Sequence, residues 1–132
     1  MNVVGYVNSY RSQEIDWNLE IKIQKDKIED FCKKHNYNLV NIYQEPRESK
    51  PDYRPELVKL IDSASTGEFK KVIVLKLDKF GNDTSIKSWI VGELKKHKIE
   101  IHSLIESKLV EKNSEKQEKL SKADILKQKV RD

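Results

Sequence analysis

Cysteine occurs once in this 132-residue sequence, at Cys32, so no internal disulfide can form. One cysteine and three scattered histidines leave no ligand set for a structural zinc. Cys32 reads as a half-buried helix residue, and neither a cofactor nor a small-molecule ligand is expected. No apolar run approaches the length of a membrane span. The start, Met1-Asn2-Val3-Val4, lacks the basic and long apolar stretches of a signal peptide. These absences point to the cytoplasm. Arginine is scarce, with only Arg11, Arg47, Arg54 and Arg131. Base readout in DNA favours arginine, so any nucleic-acid contact is expected to be weak and tolerant of sequence.

Apolar residues make up 36% of the chain and charged residues another 36%. That supports one modest core under a heavily charged surface. The net charge of +4 is unevenly placed. From Ser107 to Asp132 there are eight Lys or Arg against five Asp or Glu. This stretch reads as a solvated helical tail, with Glu115–Lys119 and Glu118–Lys122 as favourable pairs one turn apart. The sequence therefore divides into a domain over 1–106 and a Lys/Glu-rich tail over 107–132. No helix-turn-helix or zinc-binding pattern follows the domain.

Within the domain, apolar runs and helical periodicities alternate. Val3 to Val7, Leu39 to Tyr43, Val72 to Leu75 and Ile99 to Leu104 read as strands. Trp17, Ile21, Gln24, Ile28 and Phe31 fall on one face of a helix capped by Asp16 and ended at Asn36. Arg54-Pro55 opens a second helix with Leu57, Leu60, Ile61 and Ala64 inside. Asp83 or Thr84 caps a third, with Ile86, Trp89, Ile90 and Leu94 inside. Trp17 and Trp89 are both expected in the core. The order β-α-β-α-β-α-β predicts an α/β fold with a mainly parallel four-stranded sheet between helical layers. Chemistry in such folds gathers at the carboxyl ends of the strands. Here that means the loops 8–16, 44–53 and 76–83.

Those loops carry Tyr6-Val7-Asn8-Ser9-Tyr10, then Tyr43, Glu45, Ser49 and Arg54-Pro55, then Lys76-Leu77-Asp78-Lys79-Phe80-Gly81-Asn82. In that order, with Ile21, Gln24 and Ile28 on the first helix, they resemble the catalytic domain of serine recombinases, the resolvases and invertases. The resemblance spans residues 3–106. It implies a three-layer resolvase-like fold and a DNA-cleaving ancestry. The family motif after the first strand is Tyr-x-Arg-x-Ser, in which the Ser attacks a DNA phosphodiester and the Arg steadies the transition state. Asn8 stands in place of that Arg and Tyr10 in place of the nucleophile. After the third strand the family reads Lys-Leu-Asp-Arg-Leu-x-Arg. Asp78 matches, while Lys79 and Asn82 replace the two arginines. Gln24, Ser49 and Arg54 match, and Glu45 replaces an Asp.

Phosphoryl transfer needs fixed positive charge around the reacting phosphate, and removing one preorganised donor costs on the order of 10²–10³ in rate. With Asn8 and Asn82 uncharged, the resemblance implies a former active site and a protein that acts by binding. Its partners would be itself, an active recombinase or, weakly, nucleic acid. The alternatives are an active recombinase with a relocated nucleophile at Ser9, Tyr10 or Ser12, and a small DNA-binding regulator. Gln24 is expected to bond across the loops and Glu45 and Ser49 to order theirs. Arg54 and Asp78 are expected to form a buried ion pair, and Tyr10 to fill the space left by Ser and Arg. Ser9 would face the other side of the sheet if the strand pleat ran that far.

Overall fold

The computed structural model describes residues 1–10 and 14–106. The expectations for Arg11, Ser12 and the tail over 107–132 lie outside the described residues. The described chain runs β1 (Asn2–Val7), α1 (Glu14–His35), β2 (Asn38–Gln44), α2 (Pro55–Ser63), β3 (Lys71–Val74), α3 (Thr84–Lys96) and β4 (Glu100–Ser103). A 3-10 turn follows α2, and another, Leu77–Phe80, follows β3. All strand pairs are parallel, in the order β2-β1-β3-β4. The expected fold class is the one observed.

Side-chain alternation along β1 and β3 builds the three layers. Val3, Val7 and Ile73 pack with Ile21, Ile28 and Cys32 of α1. Val4, Tyr6, Val72 and Val74 pack on the other face with Leu57 and Leu60 of α2 and Ile90 and Leu94 of α3. Burial on both faces explains the unbroken apolar run in β3. Cys32 is 3% exposed, deeper than half-buried, and that burial pushes its thiol pKa up.

Two local devices set the register. The β1–β2 ladder slips by one residue after Val3–Leu39, leaving Val40 as a bulge with 43% exposure. The slip reverses the phase of β2, so Leu39 and Ile42 reach the same core layer while Tyr43 reaches the other. Gly5 lets α1 settle close to β1. A methyl group there would lie 3.1 Å from Ile28 Cγ2. That approach brings Gln24, one turn before Ile28, to the end of β1.

Some expectations fail at the edges of elements. The first helix begins at Glu14, so Asp16 lies inside its first turn, where a negative charge is favoured, and is not its cap. Asp83 does cap α3, accepting from Ser85 N at 2.7 Å and Ile86 N at 3.3 Å. Trp89 is 57% exposed and Ile86 42% exposed, so neither is core. Trp17 packs only at the border of its layer. Periodicity tells which side of a helix is apolar. It does not tell whether the neighbouring layer is broad enough to cover that side.

Candidate functional site

The carboxyl edge of the sheet opens into a cleft of about 400 Å³. It is lined by Asn8, Ser9, Tyr10, Glu20, Asp78, Lys79 and Asn82. Five of these seven were expected from sequence at the former active site, and Ser9 only as an alternative nucleophile. Glu20 was not expected. It stands one helical turn before Gln24, so the same i, i+4 spacing that places Gln24 also points Glu20 at this edge. The structure does not bring every expected residue into the cleft. Gln24 and Glu45 form its buried backing, and Arg54 stands beside it.

The backing is a continuous chain of hydrogen bonds. The Glu45 carboxylate is fully buried and accepts three bonds. They come from Tyr6 Oη at 2.7 Å, Leu57 N at 2.9 Å and Glu56 N at 3.0 Å. The last two are free N–H groups in the first turn of α2, where Pro55 needs no partner and Arg54 offers no side-chain cap. Glu45 is thus the cap of α2 from another loop. Burial raises the Tyr6 phenol pKa far above its ordinary value, while the bond from Asn8 opposes that rise. Asn8 is 2% exposed, and its Nδ2 donates to Tyr6 Oη at 3.2 Å and to the Lys79 carbonyl at 2.8 Å. Gln24 ends the chain. Its Nε2 donates to Asn8 O at 2.8 Å, and its Oε1 accepts from Asn8 N at 3.4 Å.

The cations are held in turn. Lys79 Nζ donates to Asn8 O at 3.3 Å. Arg54 Nη1 donates to Phe80 O at 2.7 Å, fixing the turn that ends at Gly81 with φ 132°. The Arg54 guanidinium also lies near enough to the Tyr10 phenol to favour its ionised form. The expected Arg54–Asp78 ion pair is not formed. Asp78 is exposed, and the Phe80 carbonyl takes the guanidinium instead. A carbonyl one turn away satisfies a guanidinium without the desolvation that burying a second charge would require.

Two further expectations are corrected. Tyr10 is 42% exposed, so it only half-fills the space left by Ser and Arg. Ser9 does not face away from this edge. The strand ends at Val7, the pleat stops with it, and Ser9 lines the cleft beside Asn8 and Tyr10 while itself 4% exposed. Ser49 is also buried, and its Oγ has no hydrogen-bond partner among the described residues. Burial raises the Tyr10 pKa, and the charge of Arg54 pulls it part of the way back. Among the described residues no cluster of His, Cys, Asp and Glu is arranged to hold a metal ion, and no helix is long and apolar enough to cross a membrane.

Comparison with known proteins places this geometry. The resolvase N-terminal domain family matches residues 8–128. The N-terminal catalytic domain of TP901-1 integrase superposes with a TM-score of 0.73 at 24% identity, covering 81% of this chain and 80% of that one. A resolvase family site-specific recombinase from Streptococcus pneumoniae gives 0.68 at 14% identity, covering 100% and 99%. The C-terminal catalytic domain of ISC1926 TnpA, an IS607-like serine recombinase, gives 0.69 at 14% identity, covering 79% and 67%. At these identities the superpositions carry the fold alone. Among curated proteins nothing matches.

Proposed function

The chain belongs to the resolvase N-terminal domain family, and we propose that it is a member that has given up strand cleavage and acts by binding. One observation carries the reading. The cleft where a phosphodiester would sit is lined by two carboxylates, Glu20 and Asp78, against one ammonium, Lys79. Even with Arg54 beside it, the described lining offers no net positive charge to gather around a phosphate. The Asn8 amide, where the family motif has Arg, is already spent on Tyr6 and the Lys79 carbonyl. Two missing cations correspond to a deficit of roughly 10⁴ or more in rate.

The binding partner under this reading is a second recombinase fold, either another copy of this chain or an active relative. Val58, Ile86 and Trp89 stand exposed around a groove of about 280 Å³ between α2 and α3. A half-exposed Trp among aliphatic neighbours is the kind of anchor that protein interfaces bury. Contact with DNA accompanies this as a weaker activity.

A second reading has one observation in its favour, the position of Ser9 in the cleft. It makes the protein a working recombinase with a relocated nucleophile. Tyr10 is a poor candidate for that role. Its raised pKa keeps the phenol protonated at neutral pH, and the attack lacks the same cations. The test is incubation of the full chain with supercoiled DNA carrying the recognition site of a related active enzyme. No covalent protein–DNA adduct is expected. An adduct mapped to Ser9, Tyr10 or Ser12 would replace the first reading with the second.

A further inference from the structure

The opposite edge of the sheet carries the opposite charge. There α1 ends in Lys33, Lys34 and His35, α3 ends in Lys95 and Lys96, and His97 and Lys98 follow. Lys70 and Lys71 lead into β3 between them. Backbone bonds hold these segments side by side. Lys70 N donates to Asn2 O at 2.9 Å, and Lys70 O accepts from Glu100 N at 3.0 Å. The acidic residues on this rim are Glu68 and Glu100, with Glu29, Asp30, Asp62 and Glu93 a turn further back.

Two of the lysines are occupied. Lys71 lies 3.9 Å from Glu100, donates to Tyr37 Oη at 3.2 Å and sits over the Tyr37 ring. Lys96 pairs with Glu93 at 2.7 Å. The other five, Lys33, Lys34, Lys70, Lys95 and Lys98, are exposed and have no ion pair among the described residues. Lysines in the last turn of a helix complement its dipole, which accounts for Lys33, Lys34 and Lys95. It does not account for Lys70, which is in no helix, or for Lys98. Lys98 holds φ at 60°, a left-handed position that glycine or asparagine would occupy with less strain. The end of α1 follows the rule, with Asn36 at φ 56°.

We propose that this amino edge, through Lys33, Lys34, Lys70, Lys95 and Lys98, is a face that binds the phosphate backbone of duplex nucleic acid. Four strands spaced about 4.8 Å apart make a rim roughly 15 Å wide. That width lets the lysines reach phosphates on both sides of a groove about 12 Å across. Among the described residues the carboxyl edge offers no equivalent. Its Arg47, Lys50, Arg54, Lys76 and Lys79 are outnumbered by Glu20, Glu45, Glu48, Asp52, Asp78, Asp83 and Glu106. Lysine presents a point charge without the fork that reads a base edge, so the contact is indifferent to sequence. The inference rests on the weak DNA contact proposed above and names its surface. It does not depend on the loss of cleavage.

The experiment is fluorescence anisotropy of the full chain on a 30-base-pair duplex of arbitrary sequence across a salt series. The rim variant is K33Q/K34Q/K70Q/K98Q. The controls are K50Q/K76Q at the other edge and K116Q/K119Q/K122Q/K127Q in the tail. Wild type is expected to show a slope of log K against log salt near −3, about three phosphates at roughly −0.9 each. The rim variant should bind more than about tenfold more weakly at low salt and lose most of that slope. The same four positions changed to Arg should bind at least as well as wild type, which separates charge from folding. If wild type binds no duplex, the DNA contact itself falls, and this surface with it. If wild type binds and the rim variant binds equally, or a control variant shows the larger loss, the surface assignment alone is wrong. Equal affinity for polyglutamate would overturn the assignment to nucleic acid.

Discussion

The carboxyl edge of this domain has a buried wall and an open mouth, and the two have fared differently. In the wall, Tyr6, Asn8, Gln24 and Glu45 form a hydrogen-bonded chain at the junction of β1, α1 and α2. At the mouth, Asp78 and Asn82 are exposed and Tyr10 is half-exposed. Under the proposed loss of cleavage, such a site would keep what the fold needs and be free to drift where it does not. The wall residues serve the fold, because Glu45 alone caps α2 from a distance and Asn8 ties β1 to the turn after β3. The mouth residues touch little that would be missed.

The sharpest way to break that comparison is Glu45→Ala. It leaves the Tyr6 hydroxyl and two N–H groups of α2 without their acceptor. Each buried, unsatisfied donor costs about 1–3 kcal/mol, so a loss of about 3–5 kcal/mol is expected. For a domain of this size, thermal denaturation should register a fall of more than about 10 °C. A loss below about 1 kcal/mol would mean that the wall is not structural. Asn8→Ala should follow at about 1–2 kcal/mol, because it removes donors from Tyr6 and from the Lys79 carbonyl while leaving both buried.

Alkaline pH probes the wall without mutation. Tyr6 has a folded pKa raised above its ordinary value of 10.0, chiefly by burial. The unfolded chain therefore gives up the Tyr6 proton first. The contribution of Tyr6 is fully present below pH 10.0 and is lost as pH climbs toward the folded pKa. Above pH 10.0 stability should fall by up to about 1.4 kcal/mol per pH unit for this one group. Urea titrations of wild type and Tyr6→Phe at pH 8 and pH 11 measure it. The variant should lose less stability than wild type over that interval, and parallel losses would remove Tyr6 from the account.

Sequence order and period carried the fold well. The apolar runs of β1 and β3, the Asn36 turn, the Arg54-Pro55 opening and the Asp83 cap are all local signals, and local signals survive in a single sequence. The site was legible as a set of positions, because each motif sits where a parallel strand ends. Its pairings were not. That Arg54 would choose the Phe80 carbonyl over Asp78 depends on how the Leu77–Phe80 turn packs against α2, a contact 26 residues apart in the chain. The exposure of Trp89 and Ile86 depends on the width of the opposing layer, which no helical period encodes. Ser9 turned on a single residue, whether the pleat ends at Val7 or beyond.

The smallest effects belong to the mouth. Asp78 and Asn82 are exposed, and neither side chain makes a hydrogen bond or ion pair among the described residues. Surface substitutions away from caps and networks usually stay within about 0.5 kcal/mol. Asp78→Asn and Asn82→Ala should each fall inside that range by urea denaturation, although both positions belong to the stretch with the clearest resemblance to a catalytic motif. Asp78→Asn does not repeat the wall, although the residue matches the family motif. The structure separates the two cases by contact. The Glu45 carboxylate has three hydrogen-bond partners and the Asp78 side chain has none among the described residues. If Asp78→Asn destabilises the domain by as much as Asn8→Ala, the division between wall and mouth fails. Asp78 would then hold the Leu77–Phe80 turn in a way its exposure does not reveal.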